Sequence, residues 1–238
     1  MAADTRTARQ TVPAVRDRTP WRTPAIGARF TRDRAVHPYG LADVQQLWNV
    51  SRWWVVGEAA VGVMHLPGSP VPVLYAVSAR DAEGTLELLE RLAVAGRLPP
   101  RFVVTGPRGL TERLTRSGQR RALGSGDFFH PDLLATGGYL GLYAKPPTAG
   151  AMVATAGIHV IDPVNRVAAI GNVATHPDHR ARGLARHVTS TLCHRLLTEV
   201  DVVGLNVTPG NLPARRLYDR LGLVEVLAYE EAELSTVR

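Results

Sequence analysis

Residues 175–188, THPDHRARGLARHV, set Arg180, Arg182 and Arg186 around Gly183, between an apolar run and an amphipathic one. The first N–H groups of a helix have no internal acceptor, and the helix dipole makes that end partly positive. Cationic side chains are unfavourable there unless an anion joins them. A diphosphate at such a loop accepts several backbone hydrogen bonds at once, and a glycine lets the backbone come close to its oxygens. Arg180 and Arg182 add charge-assisted bonds to the same anion. The spacing Arg-x-x-Gly-x-Ala over residues 180–185 therefore predicts an anion cradle. A solvated helix start is the competing reading. A mononucleotide loop ending in Gly-Lys-Ser/Thr and the dinucleotide pattern Gly-x-Gly-x-x-Gly are both missing from the sequence.

The elements that must hold this loop follow from hydrophobic period. A strand over 166–175 runs into it. A helix over 182–198 leaves it, with Leu184, Val188, Leu192 and Leu196 in one i+4 row. Upstream, strands are predicted over 139–145 and 151–161, with turns at Lys145–Thr148 and at Asp162-Pro163-Val164-Asn165. Downstream come a strand over 201–208 and a helix over 212–221 with Ala214, Leu217, Tyr218 and Leu221 on one face. Residues 223–234 read as a strand pair or a bulged strand. Earlier in the chain, residues 1–27 lack apolar period and read as a disordered Arg-rich arm. Residues 28–136 form a first α/β segment. Its elements are buried strands over 53–66 and 71–79 joined by a turn at 67–70, a helix over 82–96 ending at Gly96, a strand over 101–106 and a short helix over 107–118. Gly137-Gly138 marks the boundary to a second domain, 137–238. The fold class is α/β with a mixed sheet. The two segments share an order of paired strands, helix, strand, helix, which points to two similar lobes.

Composition narrows the partners. The chain has 238 residues, 45% hydrophobic, and a net charge of +7. Up to residue 34, eight arginines face three aspartates, so five of the seven net charges sit in the first part of the chain. No aromatic residues alternate with those arginines as a base-stacking surface requires, so nucleic acid is disfavoured. The aspartates and prolines of the arm argue against an organelle presequence. Cys193, the one cysteine, permits no internal disulfide and fits a reducing compartment. No apolar run reaches the roughly 20 residues of a membrane span, and no apolar leader opens the chain. The expectation is a cytoplasmic protein without a membrane partner, with a homodimer left open. His176, His179, Cys193 and His194 imitate a metal set, but one cysteine and the intervening Pro177 make zinc the weaker reading, and no metal is expected.

A second segment joins the first. NLPARRLYDRLGL, residues 211–223, carries Asn211, Ala214, Tyr218 and Gly222. Together with NVATHPDHRARGLARHV it resembles the acyl-CoA-binding and following segments of the GNAT N-acetyltransferase superfamily, over about residues 137–234. Ala181 stands where a glycine is common, and Leu223 replaces the usual Phe. The layout is similar to two-lobed GNAT proteins whose N-terminal half is a degenerate copy. The resemblance implies acetyl-CoA, or another acyl-CoA, as co-substrate and a primary amine as acceptor, attacked directly in a ternary complex. It implies that Asn172, Val173, Ala174 and Thr175 pair with the pantetheine arm and that an N–H near Ala174 steadies the oxyanion. It implies that the amides of Arg180, Ala181, Arg182, Gly183, Leu184 and Ala185 hold the pyrophosphate. Asn211 would contact the pantetheine or fix the helix start, and Tyr218 would protonate the leaving thiolate. A phenol of pKa about 10 can serve a thiolate of pKa about 8.5; on its own helix, Tyr218 reads equally as a core residue. His159, His176 and Glu225 are the candidate bases. A small amine or amino-acid-like acceptor is expected, with a protein N-terminus or lysine, or a CoA-binding sensor without turnover, as alternatives.

Overall fold

The structure, a computed structural model, describes residues 16–17, 24–46, 51–66, 69–117, 119–121, 138–145 and 150–236. The apolar stretch predicted as one strand over 53–66 is a hairpin, β2 (Ser51–Val56) and β3 (Ala59–Met64). Gly57, at φ +57°, and Glu58 turn the chain so that Val56 pairs with Ala59. Two-residue hairpin turns favour a glycine that tolerates positive φ. Both strands are apolar, so only Gly57-Glu58 marks the reversal. Two pieces of the predicted arm are ordered. Arg16–Asp17 (β1) pairs with β2, and helix α1 (Pro24–Thr31) begins inside it. The rest of the arm, Pro67-Gly68 and Pro146–Thr148 of the predicted turns, and the boundary residue Gly137 lie outside the described residues.

Helix α2 (Pro38–Gln46) opens on a proline, whose fixed φ suits a first helical turn. The sequence reading did not assign it. The first segment continues with β4 (Val73–Tyr75), α3 (Ala82–Val94), β5 (Arg101–Gly106), α4 (Leu110–Arg116) and β6 (Gln119–Arg121). Asp81 caps α3 by accepting the Gly84 N–H at 2.9 Å. Gly96, at φ +63°, lets the Arg97 N–H reach back to the Leu92 carbonyl at 2.9 Å, closing α3 where its terminal glycine was expected.

The second segment comprises β7 (Tyr139–Tyr143), β8 (Met152–Asp162), β9 (Val167–Thr175), a 3₁₀ turn at Pro177–His179, α5 (Leu184–Leu196), β10 (Val202–Gly204), α6 (Leu212–Arg220) and β11 (Glu230–Thr236). The buried Asp162 carboxylate accepts the N–H groups of Val164 and Asn165 at 3.0 and 3.1 Å, setting the β8–β9 turn. Two mixed sheets result, ordered β1-β2-β3-β4-β5-β11-β6 and β10-β9-β8-β7.

The last strand does not stay with its own segment. Residues 223–229 have no regular pairing, and β11 inserts between β5 and β6 of the first sheet, Leu234 opposite Phe102. Ala232 and Leu234 are buried there with Phe102, Val104 and Leu110. Glu230 accepts the N–H groups of Gly109 and Thr111 at 2.9 and 3.1 Å, at the start of α4. Each inward residue of β11 thus completes a core that the first segment leaves unfilled.

Strand alternation gives the second sheet two faces. Ala154, Ala156, Ala168 and Ile170 face α5 and bury against Val188, Leu192 and Leu196. Val167, on the opposite face, joins Ile26, Phe30, Leu41, Trp53 and Tyr75 of the first segment. Helix α2 lies on that face, against β8 and β9. The first segment therefore roofs the second sheet.

Candidate active site

Strands β9 and β10 pair in parallel only from Val167–Val202 to Ala169–Gly204. β9 runs on to Thr175, while residues 205–208 leave it without regular pairing. On its other edge β9 keeps β8, with register shifts between Thr155 and Gly157 and between Ile158 and Val160. Asn172 sits in this distorted stretch at φ +49°, a conformation asparagine tolerates better than most residues. The β10-side backbone of the strand end, which includes Val173, Ala174 and Thr175, therefore opens into a wedge between diverging strands.

The wedge leads into the arginine loop. Ala181 at φ +59° and Gly183 at φ +75° both adopt left-handed backbone, which turns the chain into α5. The His187 N–H is the first to return into the helix, to the Gly183 carbonyl at 3.0 Å. The N–H groups of Leu184, Ala185 and Arg186 precede it without an intrahelical acceptor. Arg180, Arg182 and Arg186 are exposed, and among the described residues none forms an ion pair. Arg180 Nε reaches back to the Thr175 carbonyl at 3.4 Å, so one cation bridges strand end and loop. A Cβ built on Gly183 meets nothing within 4 Å. The glycine is required by its φ, and the space in front of the loop is open.

Helix α6 follows the segment that leaves β9. Asn211 Oδ1 accepts the Ala214 N–H at 3.2 Å, so this side chain fixes the helix start. One face further along, Tyr218 is half-buried, and burial, with Cys193 of α5 close by, pushes its hydroxyl above the ordinary phenol value. Tyr218 thus keeps its proton through neutral pH and can only donate it. Burial likewise pushes the Cys193 thiol up, which leaves it protonated.

The three base candidates part company. His159 stands on β8, under α2. Its ring lies over Gly171 of β9, where any Cβ would collide with it. Its Nε2 is buried with no partner among the described residues. Burial lowers its pKa, with the Asn172 side chain opposing, so it is neutral near pH 7. His176 is exposed beyond the strand end, where it caps the 3₁₀ turn. Glu225 was expected in the last strand; it lies instead in the irregular segment before β11, exposed, with its carboxylate accepting from Arg215 at 3.1 Å.

Sequence reasoning missed the residues around His159. The Tyr39 ring of α2 meets the His159 ring edge-on at 6.4 Å. Asn172 Nδ2 donates to Tyr139 Oη at 2.6 Å, and the Tyr139 ring lies over Gly157 as His159 lies over Gly171. Asp43, one turn after Tyr39, is half-buried and has no hydrogen-bond or ion-pair partner among the described residues. Burial pushes its carboxyl up to about 7. The signals in the sequence were Pro38 at a helix start and the spacing of Leu41 and Val44.

Comparison with known proteins agrees with this geometry. The model of the GNAT acetyltransferase family matches residues 114–223, starting in α4 and ending before β11. The chain is similar in structure to a Novosphingobium aromaticivorans protein assigned to GNAT acetyltransferases, with 18% identity, 87% of this chain and 99% of that one covered, and a TM-score of 0.50. A Drosophila protein matches over 94% of this chain and 98% of its own, at 10% identity and a TM-score of 0.59. These likenesses extend across both sheets. No curated protein matches the sequence.

Proposed function

The chain carries an acetyltransferase domain of the GNAT family, and from that premise we propose that it moves an acetyl group from acetyl-CoA to a small primary amine in one ternary complex. The observation that carries this reading is the continuity of the β9–β10 wedge with a helix start of three amides without an intrahelical acceptor and exposed arginines that form no ion pair among the described residues, the Arg180 N–H alone being spent on the Pro177 carbonyl at 3.2 Å. The residues present suit a diphosphate ester: three N–H groups at the start of α5, the cations Arg180, Arg182 and Arg186, and open space before Gly183. The backbone of Val173–Thr175 would orient an extended arm by strand-like hydrogen bonds, with Asn172 at the bend. When bound, acetyl-CoA supplies an acyl carbon activated as a thioester.

The chain's own groups then divide the proton work. Tyr218 holds a proton for the departing sulfur, since burial keeps its phenol from ionising. An N–H near Ala174 would hold charge that develops on the acyl oxygen. His176 and Glu225, both exposed, are poorly placed to exclude water from a reacting amine. His159, neutral and with its Nε2 buried, is the base candidate that remains.

Calorimetric titration with acetyl-CoA, followed by thiol release across a panel of amines, tests the proposal. Binding with amine-dependent thiol release is expected. No binding of acetyl-CoA would end the acyl-transfer reading; binding without release on any amine would favour a CoA-binding sensor.

A further inference from the structure

Strands β8 and β9 fall out of step in one short window. Asp162–Val167, Ile161–Ala168 and Val160–Ala169 pair in one register, and Thr155–Ala174 and Ala154–Thr175 return to it. Between them Ile158–Ile170 and Gly157–Gly171 are shifted by one residue. Two bulges of opposite sense bound this window. His159 is the extra residue on β8, and on β9 Asn172 and Val173 together oppose Ala156. An extra residue breaks the alternation of faces along a strand. Ile158 and Ile161, three residues apart, therefore both pack into the core under α5, as do Ile170 and Val173. The polar residues set between them come out on the roof side, His159 over Gly171 and Asn172 against Tyr139.

The bulge on β9 decides which backbone groups face the wedge. The His176 N–H donates to the Val153 carbonyl of β8 at 2.9 Å. N–H groups two residues apart on a strand point the same way. The Ala174 N–H therefore also points to β8, where Ala174 stands opposite Thr155. Val173 and Thr175 alternate with Ala174 and turn their N–H groups to the other side, which β10 has left after Gly204. Arg180 Nε, 3.4 Å from the Thr175 carbonyl, meets the backbone of Thr175 on that same side. Had β9 kept the shifted register, Val173 would stand opposite Thr155, and the N–H facing the wedge would be that of Ala174.

Tyr139 fastens this bulge. From β7 its ring crosses β8 over Gly157, where any Cβ would collide with it, and its Oη accepts from Asn172 Nδ2 at 2.6 Å. Asn172 stands at φ +49°, left-handed backbone that a residue with a Cβ adopts at a cost. The bond to Tyr139 offsets that cost only while the bulge is in place. We propose that Tyr139 is a positioning residue for the acyl donor: its hydroxyl holds Asn172 in the bulge, and the bulge turns the N–H groups of Val173 and Thr175 towards the pantetheine arm. This rests on the acyl-transfer reading above. Tyr139 acts on the donor through Asn172.

Two measurements test it. Residue-resolved amide hydrogen exchange by NMR on the wild-type protein reports the phase of the strand end. Val173 and Thr175 should exchange on the order of 10-fold faster than Ala174, whose N–H alone of the three is spent on β8, and both should slow when coenzyme A is bound. Calorimetry then compares the wild type with Tyr139→Phe, which keeps the ring over Gly157 and loses only the acceptor oxygen. The acetyl-CoA Kd should rise about 3–10-fold, the range of one net hydrogen bond. The Kd of 3′-phospho-ADP, which has the diphosphate but no pantetheine arm, should stay unchanged and so report a folded variant with an intact loop. In an Asn172→Gly background Tyr139→Phe should have no further effect on acetyl-CoA, because glycine holds φ +49° without help. Ala174 as the fastest of the three amides, an unchanged acetyl-CoA Kd in Tyr139→Phe, an equal loss for 3′-phospho-ADP, or the full loss again in the glycine background overturns the inference and leaves the cofactor seat standing. Failure of the wild type to bind acetyl-CoA at all instead removes the reading on which it rests.

Discussion

Replacing Asp43 by asparagine should make the protein more stable, and more so as pH rises. The carboxyl is displaced from its ordinary 3.8 to about 7 by burial alone. At about 1.36 kcal/mol for each pH unit, the ionised carboxylate costs the fold at most about 4 kcal/mol. The side chain keeps some contact with solvent, so roughly half of that ceiling is expected. The sign follows from proton affinity. The folded state holds this proton more tightly than the unfolded state. The cost is therefore nil below about pH 4, grows between pH 4 and 7 as only the unfolded chain ionises, and is constant above about pH 7. Asparagine resembles the protonated acid in shape and never pays it. In a domain of this size about 1 kcal/mol moves Tm by roughly 2–4 °C, so a gain of about 4–8 °C at pH 8 should shrink at pH 5. Scanning calorimetry of both proteins at pH 5, 6.5 and 8 reads this directly. A Tm difference that is negative, or that does not change with pH, would refute the burial argument.

Gly183→Val should raise the acetyl-CoA Kd at least 10-fold and cost about 1–2 kcal/mol, since it forces a branched residue into φ +75° and fills the open space before the loop; an unchanged Kd by calorimetry would remove the loop from the cofactor seat. Ala181→Gly should stabilise by about 1 kcal/mol in denaturant unfolding by relieving an alanine at φ +59°, with cofactor affinity kept. Tyr218→Phe should slow steady-state turnover by about 10²–10⁴-fold with acetyl-CoA affinity nearly unchanged, and an intact rate would return Tyr218 to a packing role. Burial works to raise the Glu230 pKa, but the Gly109 and Thr111 N–H bonds outweigh it and hold it low. Glu230→Gln should therefore cost about 1 kcal/mol at pH 7, and the difference should fade as pH falls through that lowered pKa; a pH-independent difference would deny the carboxylate its role at α4.

What the sequence made legible was local. The strand 167–175, the loop after it and α5 depend on neighbours within a few residues: a period of two, a left-handed glycine, a row at i+4. Their boundaries fall within two residues of expectation. The same holds for β5, predicted and found at 101–106. Where two apolar strands met across Gly57-Glu58, period failed, because both β2 and β3 are largely buried and the only polar break was the turn itself. β11 failed differently. Its alternation fits either sheet, and nothing within its seven residues says that β5, about 130 positions away, is its partner.

That contrast explains why the two halves of the site were unequally readable. A diphosphate can be gripped by backbone amides, which every residue has, so a cofactor seat needs only a loop of the right shape and a few cations. The shape is written in consecutive residues. An amine acceptor is chosen by side chains, which can come from elements far apart in the chain, as Tyr39 and His159 do where their rings meet. Asp43 in sequence is one polar residue on an ordinary amphipathic helix. It becomes a group that titrates near pH 7 only when α2 docks on the second sheet and withdraws it from water. Docking itself depends on Gly40, where a Cβ would stand 2.7 Å from the Tyr75 ring, and on Gly204 beneath Pro38. The raised pKa of Asp43 is therefore a consequence of packing between segments, and a change at Gly40 should bring it back toward the ordinary carboxylate range while leaving the amides of the arginine loop as they are.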